Sequence, residues 1–486
     1  MASEAASTPG RSGAIGDPVR RLEALPLSGW HRKITVLVGI GSFFDLYEVF
    51  LGGVLATVLA EQWKLDATGK AWVIASAFLG MFVGANLLSW LADRWGRRRI
   101  FMINLASYAI FSLATAFAPN LPVFAALRFC SGLGMGAELV LVDTYLAEFL
   151  PAHRRGRYIS WAYVIGFLGV PLAALFGARV VAKADLGGIA GWRWLLVAGA
   201  LGAVFVWLIR RQLPESPRWL TVKGRTDEAA RVVAEIEAQV GAAPDAERAA
   251  EAPPVAEEER RVSFPDMFRG EYRRRTVMLW VFQILQTVGY YGFGTLAPIV
   301  LTAKGYSVTS SLGYAALSFI GYPVGALVAT PLVERFERKW LIVGAALAMA
   351  AFGLVFGLGR NTALIVLAGF LLTVASNVFS NAFHIYHTEI FPTGVRSSAI
   401  GTAYSLSRLV SAILPFVALN ALDAFGSGWV FAGSAVLMVL LCVDVAVLGP
   451  RTTGRPLERA AVATAVAAPA SAPATEAPTG GGAASG

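Results

Sequence analysis

Long apolar runs recur from one end of this 486-residue chain to the other, and no other feature limits its possible folds so sharply. An α-helix rises about 1.5 Å per residue, so roughly 20 apolar residues cross the ~30 Å hydrocarbon layer of a bilayer. Twelve stretches meet that requirement, near 34–60, 70–92, 99–118, 121–145, 158–182, 192–212, 276–299, 309–333, 340–359, 363–388, 397–422 and 426–449. Charged residues make up 15% of the chain, against about 25% in soluble domains. The expected fold class is therefore all-α and integral to a membrane.

Arginine and lysine placement sets the expected orientation, because cytoplasmic loops retain positive charge during insertion. Loop 93–99 (DRWGRRR) carries Arg94, Arg97, Arg98 and Arg99, loop 148–157 carries Arg154, Arg155 and Arg157, and loop 334–339 carries Arg335, Arg338 and Lys339. The alternate loops 61–69 and 300–308 hold only Lys64 and Lys304. Both termini are thus expected to be cytoplasmic. The net charge of +9 reflects this bias and not a nucleic-acid surface. Residues 1–33 are polar and the first apolar run is too long for a cleavable signal, so that run reads as an anchor. Cys130 and Cys442 fall inside apolar runs without CxxC spacing, which argues for packing and against a disulfide framework or a zinc site.

Five regions follow. Residues 1–33 form a cytoplasmic segment in which Leu22, Leu25 and Leu27, beside Arg20, Arg21, Arg32 and Lys33, suggest a short interfacial helix. Residues 34–212 hold six runs and 276–449 the other six. The cytoplasmic linker 213–273 reads as helical over TDEAARVVAEIEAQV and as flexible over GAAPDAERAAEAPPVAEEERR. Residues 450–486 form a low-complexity, disordered tail.

The six-and-six division prompts a search for a repeat. DRWGRR begins at Asp93 and ERFERK at Glu334, an offset of 241 (334 − 93). YLAEFLPAHRRG begins at Tyr145 and YHTEIFPTGVRS at Tyr386, and the offset is again 241 (386 − 145). Two unrelated signatures at one spacing indicate duplication of a six-span unit.

With these motifs the chain resembles the major facilitator superfamily over essentially all of residues 20–450. DRxGRR is similar to its loop signature, with Ser89 at a position where glycine is usual and Glu337 likewise in the second copy. RFCSGLGMGAELVLVDTYLAEFLPAHRRG (Arg128 to Gly156), PESPRWL (Pro214 to Leu220) and YHTEIFPTGVR resemble the sugar-porter, organic-ion and niacin-type metabolite branch. The resemblance implies twelve transmembrane helices in two pseudo-symmetric six-helix bundles. It also implies alternating access around a central cavity, a cell (plasma or inner) membrane location and a monomeric carrier. The partners implied are a small-molecule substrate, protons and membrane lipid. No enzyme activity and no cofactor are expected: GLGMGA at 132–137 lies inside an apolar run without a preceding strand or GK[ST], and HExxH and GxSxG are absent.

The loop charges are expected to act as latches holding the halves together in one state: Asp93 with Arg97, Glu148 with Arg154 or Arg155, and in addition Arg94, Glu215, Arg218, Glu334, Arg335, Glu389 and Arg396. The alternative is that they only enforce topology and bind lipid headgroups.

An ionised carboxylate near mid-bilayer costs roughly 2.5–3.5 kcal/mol on insertion scales, so one that is retained faces a partner or a pathway. Asp45 and Glu48 lie three apart in the first run, on one helical face, where mutual repulsion favours protonation of one of them. Arg128 is the expected partner, about 10 Å deep in the fourth run, and Gly132, Gly134 and Gly136 beyond it permit close helix approach. In proton-coupled sugar porters a span 1 acid pairs with the arginine matching Arg128. By that resemblance Glu48 is the closer match and alternates between a proton and Arg128; a purely structural ion pair is the alternative. Glu138 is a third acid, open between a pathway role and a packing contact.

Arg408, near the centre of the eleventh run, has no acid in its own run. A guanidinium in a central cavity suits bidentate binding of a carboxylate. Organic-anion members of the branch carry an arginine in a similar setting, matched here by Ser407, Arg408 and Pro415; an internal pair with Glu48 or Asp45 is the alternative. Gln283, Gln286, Tyr290 and Tyr291 on the seventh run and Asn377 and Asn381 on the tenth are candidate substrate contacts, each with core packing as the rival reading. His384 reads as a solvated histidine near the cytoplasmic end. The activity expected is proton-coupled uptake of a small organic acid, aromatic or nicotinate-like. The rivals are a sugar or polyol carried by the same mechanism and a membrane sensor that transports nothing.

Overall fold

The computed structural model describes residues 17–151, 154–181, 185–186, 188–241, 264–391 and 393–452. The expected disordered part of the linker, the tail from 453 and the first 16 residues lie outside the described residues. So do the side chains of Asp93, Arg155, Glu334 and Arg396.

Helices account for nearly all of the described chain. In chain order the crossings are span 1 (Gly29–Gln62), span 2 (Ala67–Trp95), span 3 (Arg97–Thr115), span 4 (Leu121–Met135 and Glu138–Phe149), span 5 (Arg155–Phe167 and Gly169–Val181) and span 6 (Gly191–Arg210). After the linker come span 7 (Gly270–Ala303), span 8 (Val308–Phe319 and Gly321–Arg335), span 9 (Arg338–Leu358), span 10 (Thr362–Glu389), span 11 (Thr393–Phe425) and span 12 (Ser427–Leu448). Ten crossings are long and apolar enough on their own; span 3, at 19 residues, and the broken span 4 complete the twelve. A two-residue hairpin, Asp185–Leu186 against Ile189–Ala190, joins spans 5 and 6.

Short polar residues start the helices where their side chains satisfy free backbone N–H groups. Asp66 accepts from the Gly69 amide at 2.7 Å, Asn120 from Val123 at 3.1 Å and Asn361 from Leu364 at 3.2 Å. Span 1 begins at Gly29, earlier than its apolar run, because Ser28 accepts from the Trp30 amide at 3.2 Å and the His31 ring reaches back to the Ser28 amide at 3.2 Å. Span 4 was expected to be continuous. It breaks at Gly136 and Ala137, where the chain runs so close to span 2 that a Cβ on Gly136 would meet the backbone of Met81 and Ala85. A Cβ on Gly132 would likewise collide with the Ala77 carbonyl, so the glycines admit backbone-to-backbone packing.

Each half packs its own spans together, and the halves meet where span 2 lies on span 11, span 5 on span 8 and span 1 on span 7. The end bearing loops 93–99, 148–157 and 334–339 is called the basic end. There a layer of short helices, Pro18–Glu23, Pro217–Val222 and Thr226–Val240, covers the first half. Leu22 and Leu25, expected on a membrane interface, are instead buried in a cluster with Val233 and Ile236. Arg21 pairs with Glu237, and Arg218 with Glu23. The repeat is visible in three dimensions: Tyr145 donates its hydroxyl to the Pro214 carbonyl at 2.7 Å, and Tyr386, 241 residues on, to that of Pro450 at 2.8 Å.

Candidate functional site

Span 1 carries its two acids into the interior of the first half, and they meet different surroundings. Glu48 receives a hydrogen bond from Arg128 Nη1, another from the Ser112 hydroxyl at 3.2 Å, and its backbone carbonyl accepts from Arg128 Nη2 at 3.3 Å. Both side chains of this ion pair are fully buried. A desolvated pair of this kind survives only when its remaining hydrogen-bonding capacity is largely met, as here by Ser112 and the helix carbonyl.

Glu138 is paired as well. Its partner is Arg210 at the end of span 6, whose guanidinium lies 4.6 Å from the Phe101 ring centroid and donates a second bond to the Val38 carbonyl at 3.4 Å. The sequence reading left Glu138 without a partner because Arg210, at the edge of its apolar run, reads as one more topological arginine.

Asp45 is the remaining acid. It is 3% exposed, and its Oδ2 has no hydrogen-bond partner among the described residues. The interior of the first half therefore groups three carboxyls, Asp45, Glu48 and Glu138, with two guanidiniums, Arg128 and Arg210. Asp45 lines a cavity of about 10 Å³ between the halves, and Arg408 and Tyr404 of span 11 line the same cavity.

Arg408 is clasped by two phenols. Its Nη2 donates to Tyr291 Oη at 2.7 Å and to Tyr404 Oη, and its guanidinium carbon lies 4.6 and 4.4 Å from the two ring centroids. Nη1 has no partner among the described residues. The internal pair weighed for Arg408 does not form in this arrangement: Glu48 is held by Arg128, and no ion pair joins Asp45 and Arg408 among the described residues, although they face one cavity.

The other candidate contacts are distributed around this centre. Tyr290 packs edge-on against Tyr291 at 4.7 Å and accepts from Ser380 at 3.5 Å. Gln286 donates to Gln283 at 3.0 Å, leaving its own Oε1 unpartnered. Asn381 donates to the side chain of Asn377 at 2.9 Å.

The loop charges differ from expectation in both partner and place. Glu148 pairs with Arg97 at 3.6 Å, not with Arg154 or Arg155, and Glu389 pairs with Arg338 at 3.1 Å. Each pair joins two spans of one half, so neither bridges the halves. Glu215 accepts from the backbone amides of Arg97 and Arg98 at 3.0 and 3.1 Å and so caps span 3. Arg94 is exposed and lies 5.6 Å from the Trp90 ring, and Arg335 is exposed.

The polar contacts that do bridge the halves at the basic end involve residues the sequence reading missed or dismissed. Tyr163 of span 5 donates to Asp143 of span 4 at 2.9 Å, and His384 Nδ1 of span 10 lies 4.0 Å from Asp143 Oδ2. One turn away Ser160 donates to Asn381 at 3.5 Å. The signal for Asp143 was present, an acid within an apolar run, and the insertion argument used for Asp45 applies to it unchanged.

The family model described as Sugar (and other) transporter matches residues 34–463. YyaJ of Bacillus subtilis (strain 168) is 34% identical over 446 residues, covering 91% of this chain and 97% of that protein. The niacin transporter NiaP of Acinetobacter baylyi is 32% identical over 443 residues, covering 91% and 99%. Among solved structures, the xylose transporter XylE from E. coli, in a partially occluded inward-open conformation, superposes with a TM-score of 0.72 at 20% identity over 88% of this chain and 100% of that one. At that identity the likeness speaks for the fold.

Proposed function

The chain belongs to the Sugar (and other) transporter family within the major facilitator superfamily, and from that premise we propose that it carries a small organic acid, of aromatic or nicotinate-like type, together with a proton. It is a multi-pass membrane transporter and not an enzyme. The observation that carries the substrate reading is the Arg408 guanidinium, fixed by two tyrosines with one nitrogen left over and turned to the cavity it shares with Asp45.

Charge balance gives this arrangement a coupling mechanism. In the empty carrier the cavity holds one carboxylate, Asp45, and one guanidinium, Arg408, and is neutral. A proton alone makes it a net cation and a carboxylate substrate alone a net anion. Proton and substrate together make it neutral again. Occluding a net charge away from water is costly, so the empty and doubly loaded forms cross most readily. Symport follows without any direct contact between proton and substrate. Glu48, three residues further along span 1 and able to exchange Arg128 for a proton, provides a second site for the same proton. The basic end is read as cytoplasmic, with both termini on that side, so that uptake is the physiological direction.

A buried amide pair, Gln283 and Gln286, favours a second reading, a sugar or polyol held by amides and phenols. Proteoliposomes under an imposed inward proton gradient separate the two, with labelled nicotinate, benzoate and hexose offered side by side. Accumulation of a carboxylate that collapses with a protonophore supports the proposal. Accumulation of hexose alone moves Arg408 to a structural role.

A further inference from the structure

We propose that Asp143, Tyr163 and His384 form the gate that closes the cavity toward the basic end, and that a proton on His384 holds this gate shut. The inference concerns the transport cycle and stands whichever substrate is carried.

Three observations support it. First, the contact crosses the interface: Asp143 and Tyr163 belong to spans 4 and 5 of the first half, His384 to span 10 of the second. The ion pairs Arg97–Glu148 and Arg338–Glu389 at the same end stay within their halves and cannot serve. Second, the contact is built in register. Ser160 and Tyr163 lie three apart on span 5, Asn381 and His384 three apart on span 10, and Ser160 meets Asn381 at 3.5 Å while the His384 ring lies 5.8 Å from that of Tyr163. Two polar pairs on facing helix sides, one turn apart, close like a zip. Third, the carboxylate is fixed before the histidine arrives, because Tyr163 holds Oδ1 at 2.9 Å and leaves Oδ2 facing His384.

The separation decides the chemistry. At 4.0 Å the imidazole and carboxylate are beyond hydrogen-bond range, so a neutral ring gains little from the contact. A charged ring gains a Coulomb attraction in a partly shielded site. Both side chains keep about a third of their surface open, 35% and 37%, so protons can reach them. The other charged and titratable groups facing this cluster are Arg408 and Tyr404 of span 11, Tyr290 of span 7 and His387 of span 10. Arg408 is the one fixed cation among them and opposes the charge on His384. Loss of the proton from His384 releases Asp143, and spans 5 and 10 are then free to part.

The test needs no substrate. In full-length protein carrying Cys130→Ala and Cys442→Ala, Val49→Cys places a thiol on the cavity wall. Its rate of reaction with an impermeant maleimide added on the side of the basic loops is measured from pH 5.5 to 8 and divided by the rate for the unfolded chain at each pH. The expected result is a rise of about fivefold or more across the imidazole range, the low end of ordinary coupling between a site and a two-state change. His384→Gln should abolish the rise, Asp143→Asn should do the same, and His384→Arg should keep the rate low at every pH. A pH dependence that persists in His384→Gln, or free labelling in a folded His384→Arg protein, overturns the proposal. So does a pH-independent rate in the parent.

Discussion

Arg338 and Glu389 stand 3.1 Å apart in the second half, and Arg97 and Glu148, each 241 residues earlier, stand 3.6 Å apart in the first. The duplicated motifs therefore encode one contact twice: the arginine that opens span 3 or 9 on the acid that closes span 4 or 10. Each pair ties a span to its neighbour within a half, which makes the halves stiff bodies able to move against each other.

This arrangement sets the outcome of a double-mutant experiment. Glu148→Gln and Glu389→Gln should each lower the stability of the purified protein by about 1 kcal/mol, as for partly exposed ion pairs. Because the pairs share no partner, the two losses should add within about 0.5 kcal/mol. Thermal unfolding in detergent reads this out. Strong non-additivity would show that the pairs communicate across the interface after all.

Removing Arg210 strands the buried carboxylate of Glu138. Arg210→Met should destabilise the first half by roughly 3–5 kcal/mol, the usual penalty for breaking one side of a buried pair. Glu138→Gln in the same chain should recover most of that loss, since no charge is then left behind. The melting temperatures of the single and double variants measure the difference. A single variant as stable as the parent would mean that Glu138 already carries a proton.

Arg408 offers a contrast between charge and shape. Lysine keeps the charge but cannot fill the slot between the Tyr291 and Tyr404 rings or present a planar fork to a carboxylate. Arg408→Lys is expected to weaken nicotinate binding at least tenfold, and Tyr404→Phe, which removes one hydrogen bond of about 1 kcal/mol, by roughly fivefold. Binding calorimetry on the purified carrier checks both. An Arg408→Lys variant that binds nicotinate as the parent does would detach the guanidinium from substrate recognition.

What could be read from the sequence was governed by how locally each feature is determined. The crossings were legible because a bilayer demands length and apolarity from every span separately. The partnership of Glu48 with Arg128 was legible because an isolated charge in an apolar run has to find a counter-charge. Arg210 was not, since at a span end solvent or lipid would serve it equally well, and only the packing of span 6 against span 4 selects Glu138. The breaks at Gly136 and at Ile320 arise from contact with a neighbouring helix and leave no local mark. Asp143 and His384 meet only because of how the two bundles tilt, a global property that no motif records.

The end opposite the basic loops closes by a different device, and it gives the sharpest substitution. Gly53 of span 1 faces the backbone carbonyl of Thr295 of span 7, and a Cβ at position 53 would overlap that carbonyl. The Thr295 side chain donates to the Tyr291 carbonyl at 2.7 Å within its own helix, so the strand of atoms that Gly53 meets is helical backbone with no rotamer to yield. Alanine at 53 sits comfortably in span 1 itself, where it is the better helix former. The overlap can thus be relieved only by moving span 1 away from span 7, which opens the far end and disfavours every state closed there. Gly53→Ala should leave a folded, monodisperse protein whose transport is reduced about tenfold or more, an equilibrium shift of about 1.4 kcal/mol. The same variant should label faster at Val49→Cys from the far side. Wild-type transport by Gly53→Ala would show that spans 1 and 7 need not approach this closely during the cycle.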